Sequence, residues 1–285
     1  MSILNETYAL SNGVQIPKLG LGTWFIDDDR AGQAVRDAVE IGYRNIDTAQ
    51  AYGNERGVGD GIRTSGIPRS ELFVSTKVAA ELKDYDAALA SIDTSLGRLG
   101  LEYVDLMLIH SPQPWADFRG GDYADGNLAA WRALENAHTD GRLRAIGVSN
   151  FLEADLENII DRGTIRPHVN QLLVHVGNTP IDLLAFCTDR SILVQAYSPI
   201  AHGQMLKNDF VAGMAETYGV TVPQLCIRYT LQLNTVSLPK TANPEHMRAN
   251  AEVDFAISDE DMDVLRNLKA RDYGEDSRFP VYSGR

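Results

Sequence analysis

The sequence predicts a closed (β/α)8 barrel, the TIM-barrel class, with an N-terminal β-hairpin and two extra helices. Three observations carry this. Short strand-like runs alternate with stretches of helical period eight times along the chain. The 285 residues suit one barrel of about 250 residues with additions. No G-x-G-x-x-G follows the first strand, which weakens the open, doubly wound alternative. No linker or low-complexity stretch interrupts the pattern. Residues 1–285 are therefore expected to form one barrel domain.

The elements follow in order. Strand-like runs at 7–10 and 14–16 flank Asn12-Gly13, a strong hairpin signal. Residues 18–21 lead into Gly22, Thr23 and Trp24. Strands are then expected at 45–48, 72–77, 104–109, 143–148, 168–172, 192–197 and 236–238. The run VDLMLI at 104–109 is apolar but for Asp105, as for a strand buried on both faces. Helical periods cover 30–41, 55–64, 85–99, 128–140, 153–161 and 182–189. They continue at 210–218, 222–233, 244–250 and 259–268, and these last four include the two extra helices. Asn54 or a neighbour is expected to cap the helix at 55 and Gly141 to end the helix at 140. Segments 111–126 and 271–285 lack periodicity and read as loops over the site.

Composition narrows the function. The formal net charge is −13, whereas phosphate-backbone binding needs a basic face, so nucleic acid is not an expected partner. A small anion in a local basic pocket is still compatible with that charge. Cys187 and Cys226 are isolated, without a CxxC or a histidine cluster, and no metal site is expected. The N-terminus has no basic region followed by an apolar run, and no run is long enough to span a bilayer. The expectation is a cytoplasmic protein, monomeric, without a membrane partner.

Chemistry is expected at the carboxyl ends of the strands. Asp47 and Tyr52 follow the second barrel strand, Lys77 ends the third and His110 follows the fourth. Taken singly, each has an ordinary reading as a turn cap, a surface phenol, a solvated lysine or a rim histidine. Together they lie on adjacent strands, about 5 Å apart, and at the same end. A phenol is a poor acid near neutrality, with an ordinary pKa of about 10. An adjacent ammonium is expected to lower that value, with Asp47 holding Lys77 in place and His110 orienting a substrate oxygen. The set reads as a proton donor, Tyr52, facing a carbonyl.

The stretch GYRNIDTAQAYGNE at 42–55 resembles the G-x-R-x-x-D-T-A-x-x-Y-x-N-E motif of the aldo-keto reductase family. LFVSTK, VDLMLIHSP, AIGVSNF, VNQ, AYSPI and LPKT resemble further family segments in the same order, over almost the whole chain. The resemblance implies hydride transfer from NADPH to an aldehyde, ketone or keto-acid, a small-molecule carbonyl substrate. It makes Asp47, Tyr52, Lys77 and His110 the catalytic tetrad. It implies that Ser149, Asn150 and Gln171 hold the nicotinamide carboxamide and that Tyr197 stacks on the ring. Gly22, Thr23 and Trp24 would flank the cofactor. Ser198, Pro199, Ile200, Gly203 and Leu206 would pass over the pyrophosphate. Lys240 and Thr241 would meet the 2′-phosphate, and Asn250 the adenine. Trp24 and Trp115 would wall the substrate pocket beside Tyr52 and His110. The alternative function is a nicotinamide-nucleotide-binding redox-sensing or regulatory subunit with slow turnover. A barrel aldolase using Lys77 as a Schiff base is a further rival, which the cofactor segments oppose.

Three positions depart from the pattern. His246 stands where an arginine usually clamps the 2′-phosphate, so the NADPH preference is expected to be modest and NADH to be used as well. Ser111 replaces a common tryptophan after the histidine, which is expected to open one wall of the pocket. Leu173 replaces a common glutamate after VNQ.

Overall fold

A computed structural model describes residues 2–283. Its first regular pair is an antiparallel hairpin of β1 (Thr7–Ala9) and β2 (Gln15–Pro17). Leu10 N–H donates to Val14 O at 2.9 Å, and Gly13 N–H donates to Leu10 O at 2.8 Å, with Gly13 in the left-handed region. The loop thus takes up Val14, and the second strand begins one residue later than expected. Leu10 and Ile16 pack with Phe73, Leu106, Val169 and Leu238 from the barrel strands. The hairpin therefore closes the amino-terminal end with an apolar plug, hydrophobic burial being the driving force.

Eight parallel strands follow in chain order around the barrel. They are β3 (Leu21–Gly22), β4 (Asn45–Asp47), β5 (Phe73–Val78), β6 (Val104–Ile109), β7 (Leu143–Ser149), β8 (Val169–Leu173), β9 (Leu193–Tyr197) and β10 (Val236–Leu238). β5 and β6 are buried along their whole length; β6 is apolar but for Asp105, whereas β5 also buries Ser75, Thr76 and Lys77. The ring closes between β10 and β3 through a short seam. Gly20 N–H donates to Ser237 O at 3.0 Å, Gly22 N–H to Pro239 O at 3.0 Å, and Ser237 N–H to Lys18 O at 2.9 Å.

The outer helices are α1 (Asp28–Ile41), α2 (Glu55–Arg63), α3 (Tyr85–Leu99), α4 (Ala124–Thr139), α5 (Glu153–Arg162) and α6 (Ile181–Asp189). Then come α7 (Asp209–Thr217), α8 (Val222–Gln232), α9 (Pro244–Ala251), α10 (Asp259–Asn267) and the short α11 (Pro280–Ser283). Local chemistry sets their ends. Asp84 Oδ1 accepts from Ala87 N–H at the start of α3, and Thr221 and Gln224 form a capping box on α8. α2 carries glycine on its packed face because its neighbours come close. A Cβ on Gly57 would lie 1.9 Å from Asp28 O, and one on Gly59 would lie 2.1 Å from Leu99 O. The main core lies between strands and helices, where Val35, Ile46, Val74, Ile92, Met107 and Trp131 are all sealed from solvent.

Four local expectations need correction. α4 begins at Ala124, not at 128, because Asp122 Oδ1 accepts from Ala124 N–H at 2.9 Å and starts the turn early. The loop before it is shorter to match. The same helix stops at Thr139 with Asp140 as its cap, and Gly141 is the left-handed residue one place beyond. Asn54 holds the N-cap position of α2, but its side chain makes no cap hydrogen bond. Instead its Nδ2 donates to Thr23 O and Ile26 O, both at 2.9 Å, and its Oδ1 accepts from Thr48 at 2.7 Å. The tail is also not irregular throughout: a 3-10 turn at Gly274–Arg278 leads into α11. Gly284 and Arg285, the end of the expected substrate loop 271–285, lie outside the described residues.

Candidate active site

The carboxyl ends of β4, β5 and β6 bring Asp47, Lys77 and His110 together, and a 3-10 turn at Gln50–Tyr52 adds Tyr52. Lys77 is fully buried. Its Nζ donates to Asp47 Oδ1 at 2.6 Å, to Thr48 O at 2.8 Å and to Tyr52 Oη at 3.4 Å. Its three donors are therefore all engaged. The Tyr52 and His110 rings stand edge to face, 5.6 Å between centroids. His110 Nδ1 is buried without a hydrogen-bond partner among the described residues.

A second layer fixes the first. Gln171 Nε2 crosses the barrel to donate to Asp47 Oδ2 at 2.9 Å and to Gln195 Oε1 at 3.1 Å. Ser149 Oγ donates to Gln171 O at 2.9 Å. Asn150 Nδ2 donates to His110 O at 3.0 Å, and Asn150 Oδ1 accepts from Tyr197 Oη at 2.8 Å. Ser149, Asn150, Gln171 and Tyr197 thus converge beside the four. Sequence reasoning missed Gln195, since a glutamine within a strand carries no local signal of what it faces across a barrel.

The electrostatics differ from expectation. The Tyr52 phenol is pushed well above its ordinary pKa, first by desolvation and then by the Asp47 carboxylate. Lys77 was expected to lower it. Its shortest hydrogen bond instead goes to Asp47, and the phenol receives only the longest of the three. Burial also lowers Lys77, an effect that Asp47 opposes. His110 is held well below the ordinary histidine value, by desolvation first and by the Lys77 charge second. The resting site is thus a neutral phenol and a neutral imidazole beside a lysine–aspartate pair.

The walls are aromatic. Trp24 lies 6.3 Å from Tyr52 in a stacked arrangement, and Trp115 stands edge-on to His110 at 5.1 Å. Ser111 itself is buried, and the indole over His110 comes from Trp115, four residues later. The tail forms the roof. Phe279 meets Trp24 edge-on at 5.1 Å, Tyr282 Oη pairs with Ser198 Oγ at 2.9 Å, and Tyr273 Oη meets His175 Nε2 at 2.8 Å. Among the described residues, eight without a glycine's freedom have positive φ. Six of them (Phe25, Arg119, Asn150, Ser198, Ala201 and His202) lie on the loops at this end, which is where strained backbone concentrates around functional sites.

The outer residues are more open. Pro199 is buried, Ile200 and Gly203 are half-buried, and Leu206 is exposed on the 3-10 segment Ala201–Lys207. Gly22 pairs with Lys240 across the seam, and a Cβ there would sit 3.5 Å from two carbonyl oxygens. Thr23 Oγ1 donates to Asp47 O at 2.9 Å. Lys240 is exposed, Thr241 Oγ1 accepts from Asn243 N–H at 3.1 Å, and His246 faces solvent on α9 while Asn250 is buried there. Convergent amides, an adjacent flat phenol ring and an exposed cation fit the parts of a nicotinamide dinucleotide. No group of side chains that could hold a metal occurs among the described residues, and none of the described helices is long and apolar enough to cross a membrane.

The Aldo/keto reductase family model matches residues 18–270. The glyoxal reductase of Bacillus subtilis is 41% identical over 268 residues, covering 93% of each chain. The morphine 6-dehydrogenase of Pseudomonas putida is 39% identical over 274 residues, 91% of this chain and 90% of that one. Among solved structures, an aldo/keto reductase from Brucella melitensis superposes with a TM-score of 0.86 at 37% identity, over 93% of this chain and 99% of that chain. The aldose reductase from Schistosoma japonicum gives 0.85 at 28% identity, over 98% and 97%.

Proposed function

The chain belongs to the aldo-keto reductase family, and from that premise we propose that it reduces aldehydes and ketones, keto-acids included, to alcohols with NADPH as reductant and Tyr52 as general acid. The observation that carries this reading is the buried Asp47–Lys77 pair touching Tyr52, with His110 edge-on to the same ring. The relatives reduce glyoxal or oxidise morphine by name, which supports carbonyl–alcohol interconversion.

Ser149, Asn150 and Gln171 would hold a nicotinamide beside the Tyr197 ring, and that group would supply the hydride when bound. The protein's own residues do the rest. The carbonyl oxygen sits between Tyr52 Oη and the His110 ring. Tyr52 donates its proton as negative charge grows on that oxygen. The phenol is left as phenolate, and the Lys77 ammonium, already paired with Asp47, then gains a second anionic neighbour. Its stabilisation is therefore greatest late in the step, which favours the transition state over the ground state. His110, kept neutral, offers a hydrogen bond without competing for the proton. Trp24, Trp115 and Phe279 exclude water, which strengthens these interactions.

Lys240 and Thr241 are proposed to receive the 2′-phosphate. With His246 in place of an arginine fork, NADPH is favoured only modestly and NADH supports measurable turnover. The deciding experiment follows oxidation of each reduced nucleotide by the purified protein over a panel of aldehydes, ketones and keto-acids. Turnover with NADPH, and more slowly with NADH, is expected. Tight nucleotide binding without turnover over the panel would replace this reading with a nucleotide-sensing one.

A further inference from the structure

Segment 111–126 contains a single cation, Arg119, in a chain of formal charge −13. Its backbone is left-handed at φ 62° although it is not glycine. From there its guanidinium reaches the site. Nη2 donates to Asn150 O at 2.9 Å. The side chain of that same asparagine touches both His110 and Tyr197. Arg119 is thus one residue removed from the proposed acid–cofactor junction. A line of rings leads outward to it: Tyr52 to His110 at 5.6 Å, His110 to Trp115 at 5.1 Å, and Trp115 to Phe118 at 5.9 Å. The guanidinium carbon lies 4.7 Å over the Phe118 ring.

The guanidinium has one carboxylate partner among the described residues, and the pairing is loose. Asp155 Oδ2 is 3.4 Å from Nη1. The same oxygen accepts from Leu152 N–H at 2.9 Å, where it fastens the start of α5. Of five donors, two are engaged, one of them at long range. The side chain is 28% exposed, so it is shielded from bulk water yet open to a ligand.

We propose that Arg119 anchors a carboxylate at the far end of the substrate, so that the preferred substrates are carbonyl compounds with a flat or apolar middle and an anionic tail. The proposal rests on the carbonyl-reductase reading and names the substrate class for it. The planar fork of arginine matches a carboxylate in two parallel hydrogen bonds. The aromatic line between His110 and Phe118 suits the uncharged middle.

The test compares para-carboxybenzaldehyde with its neutral ester, methyl para-formylbenzoate, in wild type, Arg119→Met and Arg119→Lys. Wild type is expected to favour the carboxylate in kcat/KM by about tenfold or more, as a charged hydrogen bond would give. Arg119→Met should raise KM for the carboxylate by about tenfold relative to the ester, and Arg119→Lys should recover part of the difference. Absence of a wild-type preference, or an equal change for both substrates, would overturn the proposal and make Arg119 a strap that holds the loop to Asn150. If Arg119→Met does not fold, the wild-type salt dependence decides: KM should climb with ionic strength for the carboxylate alone. Loss of turnover on both substrates in wild type would instead break the functional reading. Calorimetric binding of para-carboxybenzaldehyde, weakened in Arg119→Lys, would then still support the anion site, and no binding would end it.

Discussion

Lys77 and Lys240 both close a barrel strand at the same end of the molecule, and the fold treats them in opposite ways. Lys77 has no exposed surface and three hydrogen-bond acceptors in place. Lys240 is exposed and has no hydrogen-bond partner among the described residues. The first ammonium is fixed before any ligand arrives, in surroundings of low polarity where a charge acts strongly. The second is left free to meet a ligand and must be ordered on binding. A fixed charge acts on the reaction step, and a free charge acts on affinity. The β4–β6 floor should therefore govern kcat, and the β10–α9 rim should govern KM.

The most severe test of that division is Lys77→Met. Removing the ammonium leaves Asp47 buried beside Tyr52 with half its partners gone, a loss of about 3–5 kcal/mol in stability. Urea denaturation should show this, together with loss of turnover. Lys240→Met should stay within about 0.5 kcal/mol of wild type in the same titration. Similar costs at both lysines would dissolve the contrast.

Tyr52→Phe comes next. It removes the proposed proton donor but no buried ion pair, so kcat should drop by about 10² or more while nucleotide affinity changes little. Steady-state kinetics with nucleotide fluorescence titration separates the two. Retained kcat would move the acid to His110.

A pH experiment sharpens the comparison at the roof. Burial pushes His175 down to about 4 from 6.5, and its Nε2 accepts the Tyr273 hydroxyl that ties down the tail. Because the folded value is depressed, the unfolded chain takes up the proton first. The stabilisation is complete above about 6.5 and is lost as pH falls toward 4. Unfolding free energies from urea titrations near pH 7 and near pH 5 should fall further in wild type than in His175→Gln, by up to about 2 kcal/mol. An equal fall in both would show that His175 is not the titrating group.

The smallest effect is expected at His246→Arg. An added guanidinium at the proposed 2′-phosphate site should lower KM for NADPH by about tenfold and leave NADH nearly unchanged. Equal changes for both nucleotides would place residue 246 away from the 2′ position.

Much of this molecule is written in local pattern. The strand ends that position Asp47, Lys77 and His110 follow from apolar runs and their register, which short windows of sequence record well. The start of α4 was hidden because its N-cap, Tyr123, has no capping side chain, Asp122 acts from one place earlier, and Gly126 weakens the helical pattern of the first turn. That glycine is needed where a Cβ would come within 2.7 Å of Lys83. α11 has four residues, too few to show a period. The contact from Gln171 to Asp47 spans 124 positions and crosses the barrel, so nothing near either residue announces it. The sign of the Tyr52 shift was missed for a related reason. The sequence shows that an ammonium is near, but it does not show how much water the fold removes.

The seam between β3 and β10 has a consequence for motion. Several of the other strand pairs have longer ladders, as where β6 and β7 pair over five registered positions, although β3 and β4 pair over only two. At the seam, three backbone hydrogen bonds involving Gly20, Gly22 and Ser237 close the circle. Their amides should be among the first of the barrel strands to exchange with deuterated solvent, through an opening smaller than global unfolding. Gly22 lies on one lip and Lys240 on the other, and the proposed dinucleotide touches both. Parting the lips would then require its release, so bound nucleotide should slow exchange at these three amides in proportion to occupancy. Amide exchange at the seam thus gives a reading of cofactor binding that needs neither turnover nor a known substrate.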